Sequence, residues 1–288
     1  MTCQVETTDL EAPTRRRAGA GLRGLSTSEV PRAEKFALMR TGELGSMHSW
    51  ELVTAVDGPG TRMTMFLSGC PLRCLYCHNP DTFAMKDGDP VLADEVLARI
   101  KRYRGVFSAT NGGITLSGGE VLMQPAFAGR ILRGAKEMGV HTCIDTSGFL
   151  GANASDEMLD DVDLVLLDIK AGDEETYQRV TSRSLAPTIA FGRRLAELGK
   201  KVWVRFVLVP GLTDDPRNVE LVAGHAAAIE AVRPGTVERV EVLPFHQMAR
   251  DKWAELGRTY ELGDTEPPTP EATEAVRNVF RAEGLTTF

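Results

Sequence analysis

Hydrophobic and polar residues after residue 48 form an alternating pattern of short apolar runs and longer amphipathic stretches. Most of the short runs are rich in Val, Leu and Ile and apolar on both faces, which is typical of parallel strands buried on both sides. We predict strands at residues 61–67, 114–116, 140–144, 164–169, 202–209 and 237–243. The stretches between them have the period of amphipathic helices. We predict helices at residues 92–103, 123–137, 188–198 and 218–232.

This recurring order of strand, helix and strand predicts an α/β fold in one domain, which we place at residues 46–288. Gly-rich segments follow several strands, where a barrel or an open α/β sheet collects its ligand-binding loops. Residues 1–45 show no sustained apolar periodicity, so we expect a flexible N-terminal leader there. Arg15, Arg16 and Arg17 are not followed by the uninterrupted apolar core of an export signal.

The charge balance and the hydropathy pattern argue against two classes of partner. The chain of 288 residues has 33 Lys and Arg against 40 Asp and Glu, a net charge of −7, which repels a nucleic-acid backbone. Its apolar runs are far shorter than the roughly 20 residues of a membrane-spanning helix. Five cysteines is an odd number in a chain too long to need disulfides, which favours reduced thiols in the cytoplasm.

Three of the five cysteines stand together directly after the first predicted strand. Cys70, Cys74 and Cys77 have the spacing C-x3-C-x2-C, so their thiolates can meet at one metal centre. Three thiolates on a cuboidal iron–sulfur cluster would leave one iron open, as in a catalytic site. A zinc site usually pairs two C-x2-C units, and the sequence has no second one. A zinc ion bound by the three cysteines and by His78 or His246 is a second possibility, and inert buried thiols are a third.

With Tyr76 just before the third cysteine, this spacing resembles the radical S-adenosylmethionine (SAM) superfamily. Further motifs follow in order along the chain and resemble those of the glycyl-radical-enzyme activases. They are VDGPGTR at 56–62, CHNPDT at 77–82, SGGE at 117–120, HTCIDT at 141–146, LDIK at 167–170, VWVR at 202–205, VPG at 209–211 and LPFH at 243–246. The resemblance covers residues 45–288, and an ordered set of motifs is much harder to match by chance than a single one.

The resemblance implies a partial (β/α)6 barrel of the TIM type, the radical SAM fold. It implies that Cys70, Cys74 and Cys77 hold one 4Fe–4S cluster and that SAM binds at the open iron. Reductive cleavage of SAM gives methionine and a 5′-deoxyadenosyl radical, which abstracts a Cα hydrogen from a glycine of a partner protein. Such an oxidoreductase reacts through its cofactors and needs no acid, base or nucleophile among its side chains.

The resemblance also assigns residues to SAM at the ends of the predicted strands. They are Tyr76, Cys77, His78, Gly118, Gly119, Asp168, Ile169, Lys170, Arg205 and His246. A monovalent cation is implied beside SAM, with oxygen donors from Asp145, Thr146, the Leu166 carbonyl and Asp168. From the residues themselves, we expect Glu120 to support the two glycines through hydrogen bonds. We also expect the turn at residues 57–60 to lie beside the cysteines as a lid.

Within the family, the motifs resemble those of the members that activate pyruvate formate-lyase, which is therefore the implied protein substrate. Residues 78–142 contain no cysteine, unlike the activases that carry a ferredoxin-like insert. Family members take electrons from flavodoxin or ferredoxin, and we expect a cytoplasmic monomer. Activation of another glycyl-radical enzyme is the alternative of the same chemistry. A zinc-binding module without catalytic activity is the alternative from a different class.

Overall fold

The computed structural model describes residues 22, 24–25, 30–54 and 56–288, and the predicted leader before residue 22 lies outside the described residues. The described strands are β1 Leu44–Thr54, β2 Arg62–Leu67, β3 Asp89–Leu92, β4 Gly113–Gly118, β5 His141–Thr146, β6 Leu164–Asp168, β7 Lys201–Leu208 and β8 Val237–Pro244. The described α-helices are α1 Arg32–Thr41, α2 Ala93–Thr110, α3 Pro125–Glu137, α4 Asp156–Asp160, α5 Glu174–Thr181, α6 Ala186–Glu197, α7 Pro216–Val232, α8 Arg250–Glu255 and α9 Pro270–Ala282.

All eight strands belong to one open sheet with the order β3-β1-β2-β4-β5-β6-β7-β8. The strands from β2 onward in this order are parallel, and they are the six that the sequence predicts. Side chains from distant strands meet on one face: Arg205 on β7 lies 3.9 Å from Asp57, which accepts a hydrogen bond from Thr64 on β2. The sheet therefore curls into an unclosed barrel, which confirms the predicted partial (β/α)6 architecture.

The main hydrophobic core lies between the outer face of this sheet and the helices. Ile144 on β5 and Leu167 on β6 are fully buried there, together with Phe127 and Ile131 of α3. The helices predicted from the amphipathic period correspond to α2, α3, α6 and α7. In the part of the chain that the structure describes, no helix is both long and apolar enough to cross a membrane.

Two antiparallel strands, β1 and β3, extend the sheet beyond the six predicted strands. The apolar pattern missed β1 because several of its buried positions are polar. Ser46, His48 and Ser49 are only 6%, 3% and 2% exposed. Such side chains are tolerated inside a fold because they form hydrogen bonds there, and hydropathy alone does not mark them as buried.

The turn at residues 57–60 does not lie beside the cysteines, so the prediction that it forms a lid there is wrong. Because β1 runs antiparallel to β2, the turn that joins them lies at the amino end of β2, and the cysteines follow its carboxyl end. The turn is held inside the barrel, where the Thr115 hydroxyl donates to the Asp57 carbonyl at 2.5 Å. It closes the opposite end of the barrel.

Part of the range predicted as a leader belongs to the described structure. Helix α1 packs against α3 and ends at Gly42, whose φ of +77° is a left-handed helix cap. Leu25 is 7% exposed and lies in the main core. A helix of ten residues has too few turns for its apolar period to stand out in the sequence.

Candidate functional site

The cysteine loop, residues 68–83, leaves β2 at the carboxyl end of the parallel strands. Gly69 begins the reversal with a φ of +100°, a backbone conformation that favours glycine. Its N–H donates to the Thr82 carbonyl at 2.7 Å, and the N–H of Cys70 donates to the Phe83 carbonyl at 3.1 Å. The two ends of the loop are therefore joined, which closes the segment that carries the three cysteines.

The thiols of this loop fit a cuboidal iron–sulfur cluster. Cys74 is buried, Cys70 and Cys77 are half-buried, and all three are free. Among the described residues, no three His, Cys, Asp or Glu side chains converge on a point that one metal ion could occupy. The thiolates of a cuboidal cluster bind different irons and need no such common point. The donor set therefore suits a cluster better than a single zinc ion completed by His78 or His246.

Burial keeps these thiols protonated when no metal is bound. Desolvation and the neighbouring Cys74 raise the pKa of Cys77 to about 12, and desolvation also raises the pKa of Cys70. Burial raises the pKa of Cys74 too, although Lys170 acts in the opposite direction. Because thiolates are the ligands, metal binding must release protons. Cys143 lies apart from the loop, in a separate apolar cluster.

Sequence reasoning missed Gln124, which braces the start of the cysteine loop. Its side-chain N–H groups donate to the carbonyls of Ser46 and Ser68, both at 2.8 Å, and its carbonyl accepts from the Ser46 N–H at 2.7 Å. Gln124 is buried, and these bonds join β1 to the residue that follows β2. No local sequence pattern identifies Gln124 as a bracing residue, because its partner Ser46 lies 78 positions away in the sequence.

The far side of the loop is held by residues from β1 and α8. The ring of His48 lies 2.8 Å from the Asp81 carboxylate, and both side chains are buried. Lys252 donates to the Asn79 side chain at 2.9 Å, and the indole N–H of Trp253 donates to the Cys77 carbonyl at 2.9 Å. Lys252 and Trp253 therefore hold the loop from α8, although they lie 173 and 176 positions further along the chain than their partners.

Gly118 and Gly119 bring the end of β4 against the start of the cysteine loop. Gly118 has a φ of +109°, and a Cβ there would lie 2.4 Å from the Leu67 nitrogen. A Cβ on Gly119 would lie 2.3 Å from the Gly69 carbonyl oxygen. Both positions therefore require glycine for the approach of two backbones. Their contact with SAM stays a prediction.

Glu120 follows the glycines and joins the carboxyl ends of β4 and β5. It is 1% exposed. One carboxylate oxygen accepts from the Leu122 N–H at 3.1 Å and the Thr146 hydroxyl at 2.5 Å. The other accepts from the N–H and the hydroxyl of Ser147, at 3.0 and 2.5 Å. Four donors satisfy the buried carboxylate, and they belong to Leu122, Thr146 and Ser147. The expected hydrogen bonds from Glu120 to the two glycines are not formed, and the side chain joins β4 to β5 instead.

Asp168 and Lys170 form an ion pair at the carboxyl end of β6. The Lys170 ammonium lies 2.5 Å from an Asp168 carboxylate oxygen and 5.8 Å from the centre of the Tyr76 ring. Burial alone would lower the pKa of Lys170, but Asp168, Tyr76 and Cys74 raise it well above its usual value. Lys170 is therefore a permanent cation beside the cysteine loop. Ile169, between the pair, is fully buried in the main core.

His78 of the cysteine loop and His246, which follows β8, stack against each other. Their ring centres are 4.2 Å apart and the planes are inclined by 29°. Desolvation, with His246 and Lys170 nearby, lowers the pKa of His78 to about 4, although part of the side chain is exposed. Tyr76 is 5% exposed, and among the described residues its hydroxyl has no hydrogen-bond partner. The site thus offers flat aromatic surfaces for a planar ligand.

Arg205 is held by protein groups inside the barrel. Its guanidinium donates to the Glu241 carboxylate at 3.2 Å and to the Val56 carbonyl at 2.8 Å, and it lies 3.4 Å from Asp145. Burial alone would lower the pKa of Arg205, but these carboxylates, Asp145 foremost, raise it above its usual value. The guanidinium links the turn at the closed end of the barrel to the lumen. A direct bond from Arg205 to SAM stays a prediction.

Asp145 carries one carboxylate oxygen that has no hydrogen-bond partner among the described residues. The other oxygen accepts from the Ser117 hydroxyl at 2.7 Å. Burial raises the pKa of Asp145 to about 6, although Arg205 favours its ionised form. Of the other implied cation donors, Thr146 gives its hydroxyl hydrogen to a carboxylate, and Leu166 is fully buried. The monovalent cation stays a prediction.

Comparison with known proteins agrees with this geometry. The family model of the radical SAM superfamily matches residues 64–220. Pyruvate formate-lyase 1-activating enzyme of Escherichia coli (strain K12) is 37% identical over 243 residues, which cover 84% of this chain and 97% of that protein. Pyruvate formate-lyase-activating enzyme of Clostridium pasteurianum is 43% identical over 238 residues, covering 83% and 98%. The enzyme of that name from Staphylococcus aureus (strain USA300) is 39% identical, covering 83% and 96%.

Solved structures with low sequence identity share the fold. A radical SAM methyltransferase from Sphaerobacter thermophilus has a TM-score of 0.56 at 18% identity and covers 90% of this chain and 81% of that chain. A domain of pyruvate-formate lyase-activating enzyme from Bacteroides vulgatus has a TM-score of 0.51 at 24% identity, covering 62% and 98%. The family model and the relatives of 37% to 43% identity show that the chain belongs to the radical SAM superfamily and, within it, to the family of the pyruvate formate-lyase-activating enzymes.

Proposed function

We propose that this protein activates pyruvate formate-lyase by generating a glycyl radical on it, with one 4Fe–4S cluster and SAM as cofactors. The observation that carries the proposal is the set of three free thiols at the carboxyl end of the barrel, close to the Lys170–Asp168 pair. Relatives named for this activation are 37% to 43% identical over more than four fifths of the chain. They support pyruvate formate-lyase over another glycyl-radical enzyme as the partner.

Cys70, Cys74 and Cys77 would hold the cluster. When bound, the cluster and SAM supply a 5′-deoxyadenosyl radical that takes a hydrogen atom from the Cα of a glycine in the partner. The work of this chain's own side chains is then to bind, to orient and to exclude water. The loop is suited to that work because both of its ends and the Cys77 carbonyl are fixed by hydrogen bonds.

Some residues around the cysteine loop bind SAM through charge, and others bind it through the shape of their surfaces. Lys170 presents its ammonium to the SAM carboxylate, while Asp168 holds that ammonium in place. The stacked rings of His78 and His246, with Tyr76 beside them, receive the adenosine part. Gly118 and Gly119 leave room near the methionine part because they lack side chains. A monovalent cation, with Asp145 among its ligands, belongs to the same proposal.

The remaining parts of the proposal concern the surroundings of the reaction. A flavodoxin or ferredoxin supplies the electron, and the protein acts as a monomer in the cytoplasm. The glycine of the partner enters the open end of the barrel, where the cysteine loop lies. The turn at residues 57–60 blocks the other end.

The test is anaerobic reconstitution with iron and sulfide, followed by incubation with reductant, SAM and pyruvate formate-lyase. We expect 5′-deoxyadenosine in solution and the electron paramagnetic resonance doublet of a glycyl radical on the partner. Cys74→Ala should abolish both products because it removes a cluster ligand. Cys143→Ala is the matched control and should retain both, since Cys143 lies in a separate apolar cluster.

Three outcomes would contradict the proposal. If the protein carries an intact cluster but forms neither product with an intact partner, the assigned reaction is wrong. If 5′-deoxyadenosine forms but the doublet appears only on a different glycyl-radical enzyme, the partner is wrong. Binding of stoichiometric zinc, with a colourless product after reconstitution, would favour the module without catalytic activity.

A further inference from the structure

Two exposed guanidinium groups flank Phe83 beside the cysteine loop. The Arg73 Cζ lies 4.8 Å from the centre of the Phe83 ring, and the Arg258 Cζ lies 5.4 Å from it. Arg73 belongs to the loop itself, whereas Arg258 follows α8 near the end of the chain. The ring is 6% exposed, and the Phe83 carbonyl accepts the N–H of Cys70. We call these three residues, Arg73, Phe83 and Arg258, the arginine–phenylalanine surface.

The positive charges of this surface are not neutralised within the protein. Neither guanidinium has a carboxylate within 4.0 Å among the residues that the structure describes, whereas nearby Lys252 lies 3.8 Å from Asp81. Arg73 is held in place by neutral acceptors, since it donates to the carbonyls of Cys70 and Leu72 at 2.7 and 2.6 Å. The position of its charge is therefore fixed while the charge itself stays available to a partner.

The surface lies next to the proposed cluster ligands and shares no residue with the set assigned to SAM. Phe83 belongs to a small apolar cluster against which Cys70 and Cys77 pack. The groups assigned to SAM contact one another instead, since Lys170 lies over the Tyr76 ring and His78 stacks on His246. A protein docked on the arginine–phenylalanine surface would thus approach Cys70 through residues that are not assigned to SAM.

We infer that the arginine–phenylalanine surface is the docking site of an acidic one-electron carrier protein. This inference rests on the proposed function, in which each reaction consumes one electron. The reduced carrier is oxidised by one electron and the bound cluster is reduced by one electron, with no proton or group transferred. The chain as a whole has a net charge of −7 and repels an acidic protein. Two unneutralised cations beside a cluster ligand therefore determine where such a carrier can bind.

The test compares two reductants on the reconstituted protein by stopped-flow measurement of the visible absorbance of the cluster. The carrier used is a reduced flavodoxin, and sodium dithionite is the small reductant that needs no docking. Arg258→Glu should slow reduction by flavodoxin about tenfold at low ionic strength, and the difference should shrink at high ionic strength. Reduction by dithionite, and 5′-deoxyadenosine formed with it, should stay at the wild-type rate.

Two further variants separate charge from folding. Arg258→Lys keeps the charge and should be reduced by flavodoxin within about twofold of wild type. Arg193→Glu makes the same charge change on the exposed face of α6, where no ion pair holds Arg193 among the described residues, and should also be close to wild type.

The inference is overturned if Arg258→Glu and Arg193→Glu are reduced by flavodoxin at the same rate. It is equally overturned if Arg258→Glu is slowed to the same extent with dithionite, because the defect then lies in the cluster. Failure of the proposed function would look different: dithionite would reduce the cluster, and no 5′-deoxyadenosine would form in any variant.

Discussion

Each buried charge at the carboxyl end of the barrel is paired or hydrogen-bonded. Glu120 accepts four hydrogen bonds, and the Lys170 ammonium is held by Asp168. A buried charge without such partners would be costly, so these side chains have little freedom to move. Asp145 and Asp81 each keep one carboxylate oxygen without a hydrogen-bond partner among the described residues. Single residues therefore present a largely fixed set of charges to the ligand.

The contribution of Lys170 to SAM binding can be measured. Lys170→Met removes the ammonium and leaves Asp168 buried without its partner, so SAM should bind about tenfold more weakly or worse. The measurement is isothermal titration calorimetry of SAM with the reconstituted protein, at equal cluster content. Lys101→Met, on the exposed face of α2, is the control and should leave the dissociation constant unchanged. An unchanged dissociation constant in Lys170→Met would show that Lys170 does not contact SAM.

At the scale of secondary-structure elements, the site depends on how closely β4 approaches β2 and the cysteine loop. The N–H of Gly119 donates to the Leu67 carbonyl and the N–H of Glu120 donates to the Gly69 carbonyl, both at 2.8 Å. These bonds continue the pairing of two parallel strands into the loop. The loop is therefore positioned by the sheet, which is a more rigid support than its own short turns.

Gly118 tests this support, because its neighbours leave no room for a side chain. Gly118→Ala should destabilise the protein by more than about 3 kcal/mol, from the left-handed φ and the clash with Leu67 together. Gly257→Ala is the matched control: its φ is +63°, nothing lies within 4 Å of a Cβ there, and it should cost about 1 kcal/mol. Thermal unfolding followed by circular dichroism gives both values. Equal losses of stability in the two variants would mean that β2 and β4 can move apart to accommodate a side chain at position 118.

At the scale of the whole molecule, the two ends of the barrel have different chemistry. The carboxyl end carries the thiols and the ligand-facing groups. At the amino end, the fully buried Arg62 donates to the Thr115 hydroxyl and the His141 ring, both at 3.0 Å. Arg205 connects the two regions through its bond to the Val56 carbonyl. The turn at residues 57–60 is bonded into the amino end, so we expect a ligand to reach the lumen from the carboxyl end, where the cysteine loop lies.

His141 makes the stability of the closed end depend on pH. Burial, then Arg62 and Lys136, lower the pKa of His141 below its usual 6.5, while Asp163 and Glu238 oppose them. The folded state therefore binds this proton less readily than the unfolded state. The stabilisation is fully present above about pH 6.5 and is lost as the pH falls through that value towards the folded-state pKa.

The comparison that isolates this effect is His141→Gln, whose amide can still accept from Arg62. Between pH 7.5 and 5.5, wild type should lose more of its thermal stability than the variant. Other titrating groups, Asp145 among them, are present in both proteins and cancel in the difference. Equal losses of thermal stability in the two proteins would show that His141 is not the group that makes stability depend on pH.

Much of the fold, and the loop that we propose holds the cluster, could be predicted because their signals are local. Six short runs, most of them apolar on both faces, mark the six parallel strands, and three cysteines within eight positions mark one candidate metal-binding loop. The alternation along β6 places Asp168 and Lys170 on one face. Each of these patterns lies within a short stretch of sequence, so it can be recognised without knowing which distant residues it will contact.

What braces the loop could not be predicted, because the partners are far apart in the chain. Gln124 meets Ser46 across 78 positions, and Trp253 meets the Cys77 carbonyl across 176. The place of the turn at residues 57–60 depends on the antiparallel direction of β1, whose buried polar residues conceal it. The sequence by itself determined the parallel strands and the spacing of the three cysteines, since both are set by short local patterns. Tertiary structure alone decided which end of the barrel the turn at residues 57–60 occupies and which buried polar groups hold the site, because hydrogen bonds between distant segments leave no periodic signal.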